Sequence, residues 1–456
     1  MMEWEKLLQP HRFSQGCDIA IDPIELGRSP FSKDQDKITF SSSFRRLAKK
    51  TQVHPLANND HVHTRLTHSI EVASVGRSIG NTIGAWINDT HNSPIKYAHH
   101  LGEIVYAACL AHDIGNPPFG HAGEAAIQDW FTKKQCALLY EKPNDGKFNS
   151  QQLLDFKLFD GNAMGFRVLT QTEYDSFNGG MRLTFPTLAS MLKYPWTSQH
   201  AENVNKKKFS CFYSEMEIRG KICDTIGRRQ LGAHRCVRHP LSYIVEAADD
   251  ICYNILDIED AKEMRILSMH EIVDTFKAIH ENDSEYKSYL GKNISDRRKI
   301  SYIRGKTIQK LIDGVVSSFK NNYNAIMSGD FDKTLIDTTD DNCKETIKNA
   351  NNLCRNKVYK DHRKTELEIG CYTAIGCMLD AFFESAEEFH SSQNNDKCSF
   401  KSQRTLDLLG VNRPEQGSNL YKTMLPFIDY IAGMTDSFAT HISRQITGHA
   451  NQSISR

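Results

Sequence analysis

An adjacent pair, His112-Asp113, closes the apolar run Leu110-Ala111, and a second histidine, His121, follows with Glu124 three positions beyond it. Imidazole nitrogens and carboxylate oxygens at this density are the donors of a divalent-metal site and the groups of acid-base catalysis. Two distant residues complete a four-donor set: His68, in Arg65-Leu66-Thr67-His68-Ser69, and Asp249, inside an apolar segment. A catalytic ion takes such ligands from several elements and keeps positions open for water and substrate. Adjacent ligands reach one ion only where the backbone leaves regular helix, and Gly115 with Pro117-Pro118 supplies that break. His121 and Glu124 stand i, i+3 on the helix beyond it, where the carboxylate can orient the imidazole or share its proton. The combination suits metal-assisted hydrolysis, in which the ion polarises an oxygen while His121 moves the proton.

The elements that must carry these groups are helical in period. Between Arg65 and Ile87, Leu66, Ile70, Ala73, Ile79, Ile83 and Trp86 recur near 3.6 residues, and Leu101 to His112 forms a second apolar helix. In a third, Leu241 to Glu263, Asp249, Tyr253 and Asp257 fall i, i+4, i+8 on one stripe among Ile244, Val245, Ile251 and Ile255. An unpaired carboxylate buried there costs several kcal/mol, so the stripe calls for a metal or hydrogen-bond partners. Thr39 to Lys50 reads as a short basic helix, and Lys306 to Phe319 and Leu425 to Thr440 as later helices. The Asn- and Asp-rich stretches 337–353 and 391–398 read as separators, residues 141–160 and 195–235 as polar insertions, and His99-His100 as part of a turn. The expected class is therefore mainly α. It comprises an N-terminal segment, 1–60, whose basic helix contributes to the site; a helical core, 61–260, with small lobes inserted; and a C-terminal helical region, 261–456.

The chain has 456 residues, with Lys plus Arg at 56 balancing Asp plus Glu at 56, so no global field draws it to nucleic acid or an anionic membrane. An anionic ligand must be held by a local basic pocket. Twelve cysteines without a C-x-x-C pair fit a reducing cytoplasm, and no signal peptide or membrane-length apolar run is present, so a soluble cytoplasmic protein is expected. His234, Cys236 and His239 lack the paired spacing of a zinc site and are read as surface residues, while His61 and His63 alternate in a polar loop.

His68, His112-Asp113 and Asp249 match the H…HD…D pattern of HD-domain phosphohydrolases. The phrases around them resemble the deoxyguanosine triphosphate triphosphohydrolases and their mammalian SAM-and-HD-domain relative. Those phrases are Phe44 to Leu47 with Lys50 to Val53, Thr64 to Val72, His112 to Glu124, Gly161-Asn162, Lys193-Tyr194-Pro195, Glu246 to Tyr253 and Asp429 to Asp436. The resemblance covers most of residues 28–260. It implies an HD-domain helical core that hydrolyses a deoxynucleoside triphosphate, dGTP foremost, to deoxynucleoside and tripolyphosphate. His68, His112, Asp113 and Asp249 would hold a divalent ion, Mg²⁺ or Mn²⁺, and His121 with Glu124 would be the catalytic pair. Gln52 and Asp257 would hold the sugar 3′-hydroxyl, and Tyr253 would pack on the deoxyribose and exclude a 2′-hydroxyl. Arg46, Arg65, Lys193 and Lys208, from the run Lys206 to Lys208, would meet the triphosphate together with Asn162 and Tyr194. A homo-oligomer, hexamer or tetramer, and a nucleotide effector are implied as well.

Two other readings use the same residues. Another HD phosphohydrolase, a 5′-nucleotidase or an alarmone hydrolase, would release orthophosphate or pyrophosphate instead. A nucleotide-sensing or single-stranded nucleic-acid-binding protein would use the basic segment Arg45 to Lys50 and the Lys-rich insertions, but the neutral net charge and the acid-base pair argue against it.

Overall fold

Glycines 76, 80 and 84 recur every four residues along one face of the Arg65–Thr90 helix. That face meets the His99–Ala111 helix so closely that a Cβ on Gly80 would lie 2.9 Å from the Gly102 Cα, and one on Gly76 would lie 2.8 Å from the Cys109 Sγ. Two helices can approach this far only where side chains are absent. They run antiparallel, so the start of the first and the end of the second share one end of the pair. The Pro240–Glu263 helix packs against both, and its Ala248 Cβ lies 3.5 Å from the same Gly76 position. These three helices form the centre of the core, and their adjoining ends form the floor of the site.

The computed structural model describes residues 1–14, 18–25, 27–53, 59–90, 98–134, 138, 147–174, 180–392 and 395–449. The class is mainly α, as the periodicities predict; the sheet among the described residues is one antiparallel pair, His11–Phe13 with Ile19–Ile21, in which His11 faces Ile21. The expected basic helix is present as Ser42–Arg46 followed by a 3₁₀ turn, Leu47–Lys49. Of the polar insertion at 141–160, residues 141–146 lie outside the described residues, as do 393–394 of the stretch at 391–398.

Four expectations change. His99 and His100 open a helix rather than sit in a turn, because His100 is buried with its ring edge-on to Phe31 at 5.2 Å. Within the 337–353 stretch, Asp341–Leu353 is a helix: Asp340 accepts from the Cys343 N–H at its start, and Cys343, Thr346, Ile347 and Ala350 form a buried stripe hidden among asparagines. Leu425 to Thr440 is two helices, Leu420–Ala432 and Asp436–Ile446, broken at Gly433 and restarted where Thr435 accepts from the Phe438 N–H. Cys236 and His239 are buried, not superficial. Cys236 lies against Cys223, and the His239 ring accepts from the Leu241 N–H ahead of Pro240 at the first helical position.

The insertion at 195–235 is a folded lobe. Its organising residue is Arg219, only 1% exposed, which donates to the Ala233 carbonyl at 2.6 Å. The lobe is tied to the core by Asp155, whose oxygens accept from Ser198 Oγ at 2.6 Å, the Tyr213 N–H at 2.7 Å and the Tyr421 hydroxyl at 2.7 Å.

Past the His112-Asp113 pair the chain turns against the Gly161–Arg167 helix. A Cβ on Gly115 would fall 1.9 Å from the Gly165 nitrogen and 2.2 Å from the Gly161 carbonyl oxygen. Both neighbours are backbone and cannot yield. Gly115→Ala is expected to destabilise the protein by about 1–3 kcal/mol through overpacking, read as a lowered melting temperature; an unchanged melting temperature contradicts this packing.

Candidate active site

His68 lies in the first turn of Arg65–Thr90, His112 caps the C-terminal end of His99–Ala111, and Asp249 sits midway along Pro240–Glu263. The glycine-mediated contact between the first two helices brings these residues together. Donor atoms of His68, His112 and Asp113 all lie within 4.8 Å of one another. Asp249 Oδ1 stands 3.1 Å from His68 Nε2 and 3.6 Å from His112 Nε2, and Asp113 Oδ1 is 3.6 Å from His112 Nε2.

This donor set fits a divalent ion. The His112 Nδ1–H donates to the Cys109 carbonyl at 2.6 Å, which leaves Nε2 with its lone pair facing the carboxylates. That nitrogen is buried and makes no hydrogen bond among the described residues. Burial opposes a charge on His112, but Asp113 and Asp249 outweigh it and raise the imidazole to about 9. The carboxylates therefore create a strong local demand for positive charge. Asp113 is fixed from its other side by the Arg65 Nη1, which donates to Oδ2 at 2.8 Å, and by the Asn116 amide.

The turn from Gly115 to Gly120 aims the next helix, His121–Lys133, back at the cluster. Phe119 and Gly120 are both left-handed, with φ of 66° and 59°, and a Cβ on Gly120 would meet the Arg65 Nη2 at 2.7 Å. Glu124 is buried: its Oε1 accepts from the Gly161 N–H at 2.7 Å, and its Oε2 accepts from the Lys208 Nζ at 3.0 Å. His121 itself remains exposed to the cavity; desolvation by the protein around it, assisted by Lys208 and Arg65 and opposed by Glu124, holds its imidazole below its ordinary value. A neutral ring is thus available at neutral pH to take up a proton.

A cavity of about 190 Å³ gathers most of the residues singled out by sequence. Its floor carries His112, Asp113 and Asp249. Its walls carry His121, Glu124, Arg65 and Gln52 together with Asn162, Lys193, Tyr194, Lys208 and Tyr253. His68 lies beneath the floor, 1% exposed, behind Asp249. Lys193 is kept charged: burial opposes it, but Asp250 and Glu246 prevail and raise its pKa. Lys208, held between Glu124 and Asp160, is raised in the same way. Two residues are placed elsewhere. Arg46 lines a separate cavity with Arg45, Arg167, Asp429 and Tyr430, and Asp257 is buried beyond Tyr253, accepting from the Tyr359 hydroxyl at 2.5 Å. Burial raises Asp257 to about 8.

A second compartment adjoins the first, sharing Gln52, His121 and Tyr253 and adding Val53, Phe119, Tyr359, Lys364 and Glu368. Tyr359, Lys364 and Glu368 belong to none of the motifs that point to the site in the sequence. Their signal is weak: a Lys-x-x-x-Glu pair, joined here as an ion pair, is common on solvated helices. Tyr359 follows a π turn at Cys354–Val358, the kind of helix irregularity that often marks functional positions.

The HD domain family matches residues 65–144, a span that contains His68, His112, Asp113, His121 and Glu124. A deoxyguanosinetriphosphate triphosphohydrolase-like protein of Pseudomonas aeruginosa is 44% identical over 99% of this chain and 100% of its own length. A similarly named protein of Synechocystis is 35% identical over 98% and 99%. The deoxyguanosinetriphosphate triphosphohydrolase of Klebsiella pneumoniae is 30% identical over 90% of this chain and 92% of its own.

His63, from the polar loop, ties together the two helices that carry His68 and Asp249. Its Nδ1 lies 2.6 Å from Asp260 and its Nε2 3.4 Å from Glu71. Burial opposes its charge, but these carboxylates prevail and raise it from 6.5 to about 10. A raised folded pKa gives stability that is complete below the unfolded value and is lost as pH climbs through the folded one. The difference in unfolding free energy between the protein and His63→Gln should therefore be greatest below pH 6.5 and shrink toward pH 10. A difference that grows with pH contradicts the clamp.

Proposed function

The chain belongs to the deoxyguanosinetriphosphate triphosphohydrolase family of HD-domain phosphohydrolases, and on that premise we propose that it hydrolyses dGTP to deoxyguanosine and tripolyphosphate. One observation carries the reading. A single cavity joins His112, Asp113 and Asp249 of the four-donor cluster to cationic and hydrogen-bonding side chains and, across Gln52 and Tyr253, to a second compartment.

His68, His112, Asp113 and Asp249 hold the divalent ion, Mg²⁺ or Mn²⁺. Once bound, the ion supplies Lewis-acid polarisation of a phosphate oxygen. Water attacks the α-phosphorus, the bond from phosphorus to the sugar O5′ breaks, and the proton lost by water balances the proton gained by O5′. His121, at the cavity wall, moves that proton, and Glu124 tunes its charge. Arg65, Lys193 and Lys208, with Asn162 and Tyr194, neutralise the tripolyphosphate as its charge develops. Arg65 also orients Asp113.

Tyr253 packs against the deoxyribose, so a 2′-hydroxyl has no room. Gln52, whose Oε1 is buried without a hydrogen bond among the described residues, meets the 3′-hydroxyl, joined by Asp257 once Tyr359 releases it. The paired Lys364 and Glu368 match guanine's edge, where an acceptor, O6, stands beside the donors N1–H and the 2-amino group. Adenine presents a donor where guanine presents O6. The same reading includes a homo-oligomer, hexamer or tetramer, with nucleotide as effector. No helix among the described residues is long and apolar enough to cross a membrane.

The test is a panel of the four dNTPs with Mg²⁺ or Mn²⁺, analysed for nucleoside and phosphate products. Deoxyguanosine and tripolyphosphate in equal amounts are expected, with no turnover by Asp113→Ala. Glu368→Gln should lower kcat/KM for dGTP relative to dATP by about tenfold to a hundredfold, the worth of a hydrogen bond to a charged group. Orthophosphate or pyrophosphate as product would instead favour another HD phosphohydrolase.

A further inference from the structure

Asp436 stands far along the chain from every residue assigned a role above, yet both of its oxygens are spent on the site. It is 2% exposed, at the start of the Asp436–Ile446 helix. Its Oδ2 accepts from the Thr51 N–H at 3.0 Å and its Oδ1 accepts from the Phe119 N–H at 2.9 Å. Thr51 directly precedes Gln52. Phe119 directly precedes Gly120-His121 and is one of the left-handed non-glycine residues, a conformation that persists only where its surroundings hold it.

From these contacts we infer that Asp436 is a positioning residue that holds the Gln52 segment and the His121 turn in one frame. The inference rests on the reading that Gln52 meets the 3′-hydroxyl and His121 moves the proton. Only a carboxylate offers two acceptors at this point, since an asparagine would turn an amide donor toward one of the two N–H groups. Lys50 supports the same frame, its Nζ donating to the Asn116 carbonyl at 2.6 Å and to the Ala432 carbonyl at 2.5 Å. The Asp436–Ile446 helix packs in turn on His362–Ser392, which carries Lys364 and Glu368. The C-terminal helices thereby set the spacing between the base compartment, the sugar contact and the proton-moving histidine.

The test compares Asp436→Asn with the parent protein in kcat/KM for dGTP and for 2′,3′-dideoxyGTP, and in amide hydrogen exchange across 49–53 and 117–121. Expected are a loss of about tenfold to a hundredfold for dGTP, the cost of misplacing reacting groups by an ångström or less, and a lower ratio of dGTP to dideoxyGTP activity. Faster exchange should be confined to those two segments, with a melting temperature close to the parent's. Unchanged exchange there, unchanged kcat/KM, or faster exchange throughout the chain overturns the inference. Local exchange and lost activity with an unchanged dideoxy ratio keep Asp436 as the positioning residue and remove Gln52 from the 3′-hydroxyl. Should the asparagine variant fail to fold, Asp436→Glu, which displaces both acceptors together, is read by the same criteria.

Discussion

Asp113 and Asp249 are held where the ends of three close-packed helices meet, and the site is arranged around the cost of keeping two carboxylates there. Taking such charges out of water is expensive unless each oxygen finds a partner. Arg65 and Asn116 satisfy Asp113, and His68 lies against Asp249, but the space between the carboxylates and His112 Nε2 still demands positive charge. A proton on His112 meets that demand in part, and a divalent ion meets it fully. The glycines at 76 and 80 matter for the same reason, because only helices this close can bring four donors from separate elements within reach.

Around this floor, charge is graded. Lys193 and Lys208 stay protonated because Asp250, Glu246, Glu124 and Asp160 flank them, so the wall facing a triphosphate presents cations even where it is partly buried. His121 is pushed the other way by desolvation from the surrounding protein and by Lys208 and Arg65. One cavity thus holds charged lysines and a neutral imidazole side by side, the division of labour that hydrolysis at a polyanion requires. The further wall changes character, with Tyr253, Tyr359 and Val53 offering apolar area and Lys364 with Glu368 a polar edge.

Much of this was legible in the sequence because its signals are local. His112-Asp113 with the following glycine and prolines, the i, i+3 pair His121 and Glu124, and the i, i+4, i+8 stripe of Asp249, Tyr253 and Asp257 each sit within one helix or turn. The three core helices were likewise visible as apolar periodicities. What stayed hidden depends on distant contacts. Glu368 looks like an ordinary charged residue of a solvated helix until the fold brings it into one compartment with Gln52 and His121, and Asp436, although it closes a phrase of the family, reveals its partners Thr51 and Phe119 only in the fold. The Asp341–Leu353 helix was masked because its buried stripe includes Cys343 and Thr346 among asparagines. Arg46 shows the opposite limit: of the neighbouring arginines in a short helix, sequence could not say which cavity each would line, and Arg46 lines one apart from the metal-type cluster.

The account's central claim is that the four converging donors form one divalent-metal site. Titrating Mn²⁺ into metal-stripped protein, followed by calorimetry or by electron paramagnetic resonance of the free ion, measures this directly. The account predicts one saturable equivalent per chain that disappears in Asp249→Asn while the helical circular dichroism is retained. Absence of saturable binding, or the same stoichiometry in Asp249→Asn, would contradict it.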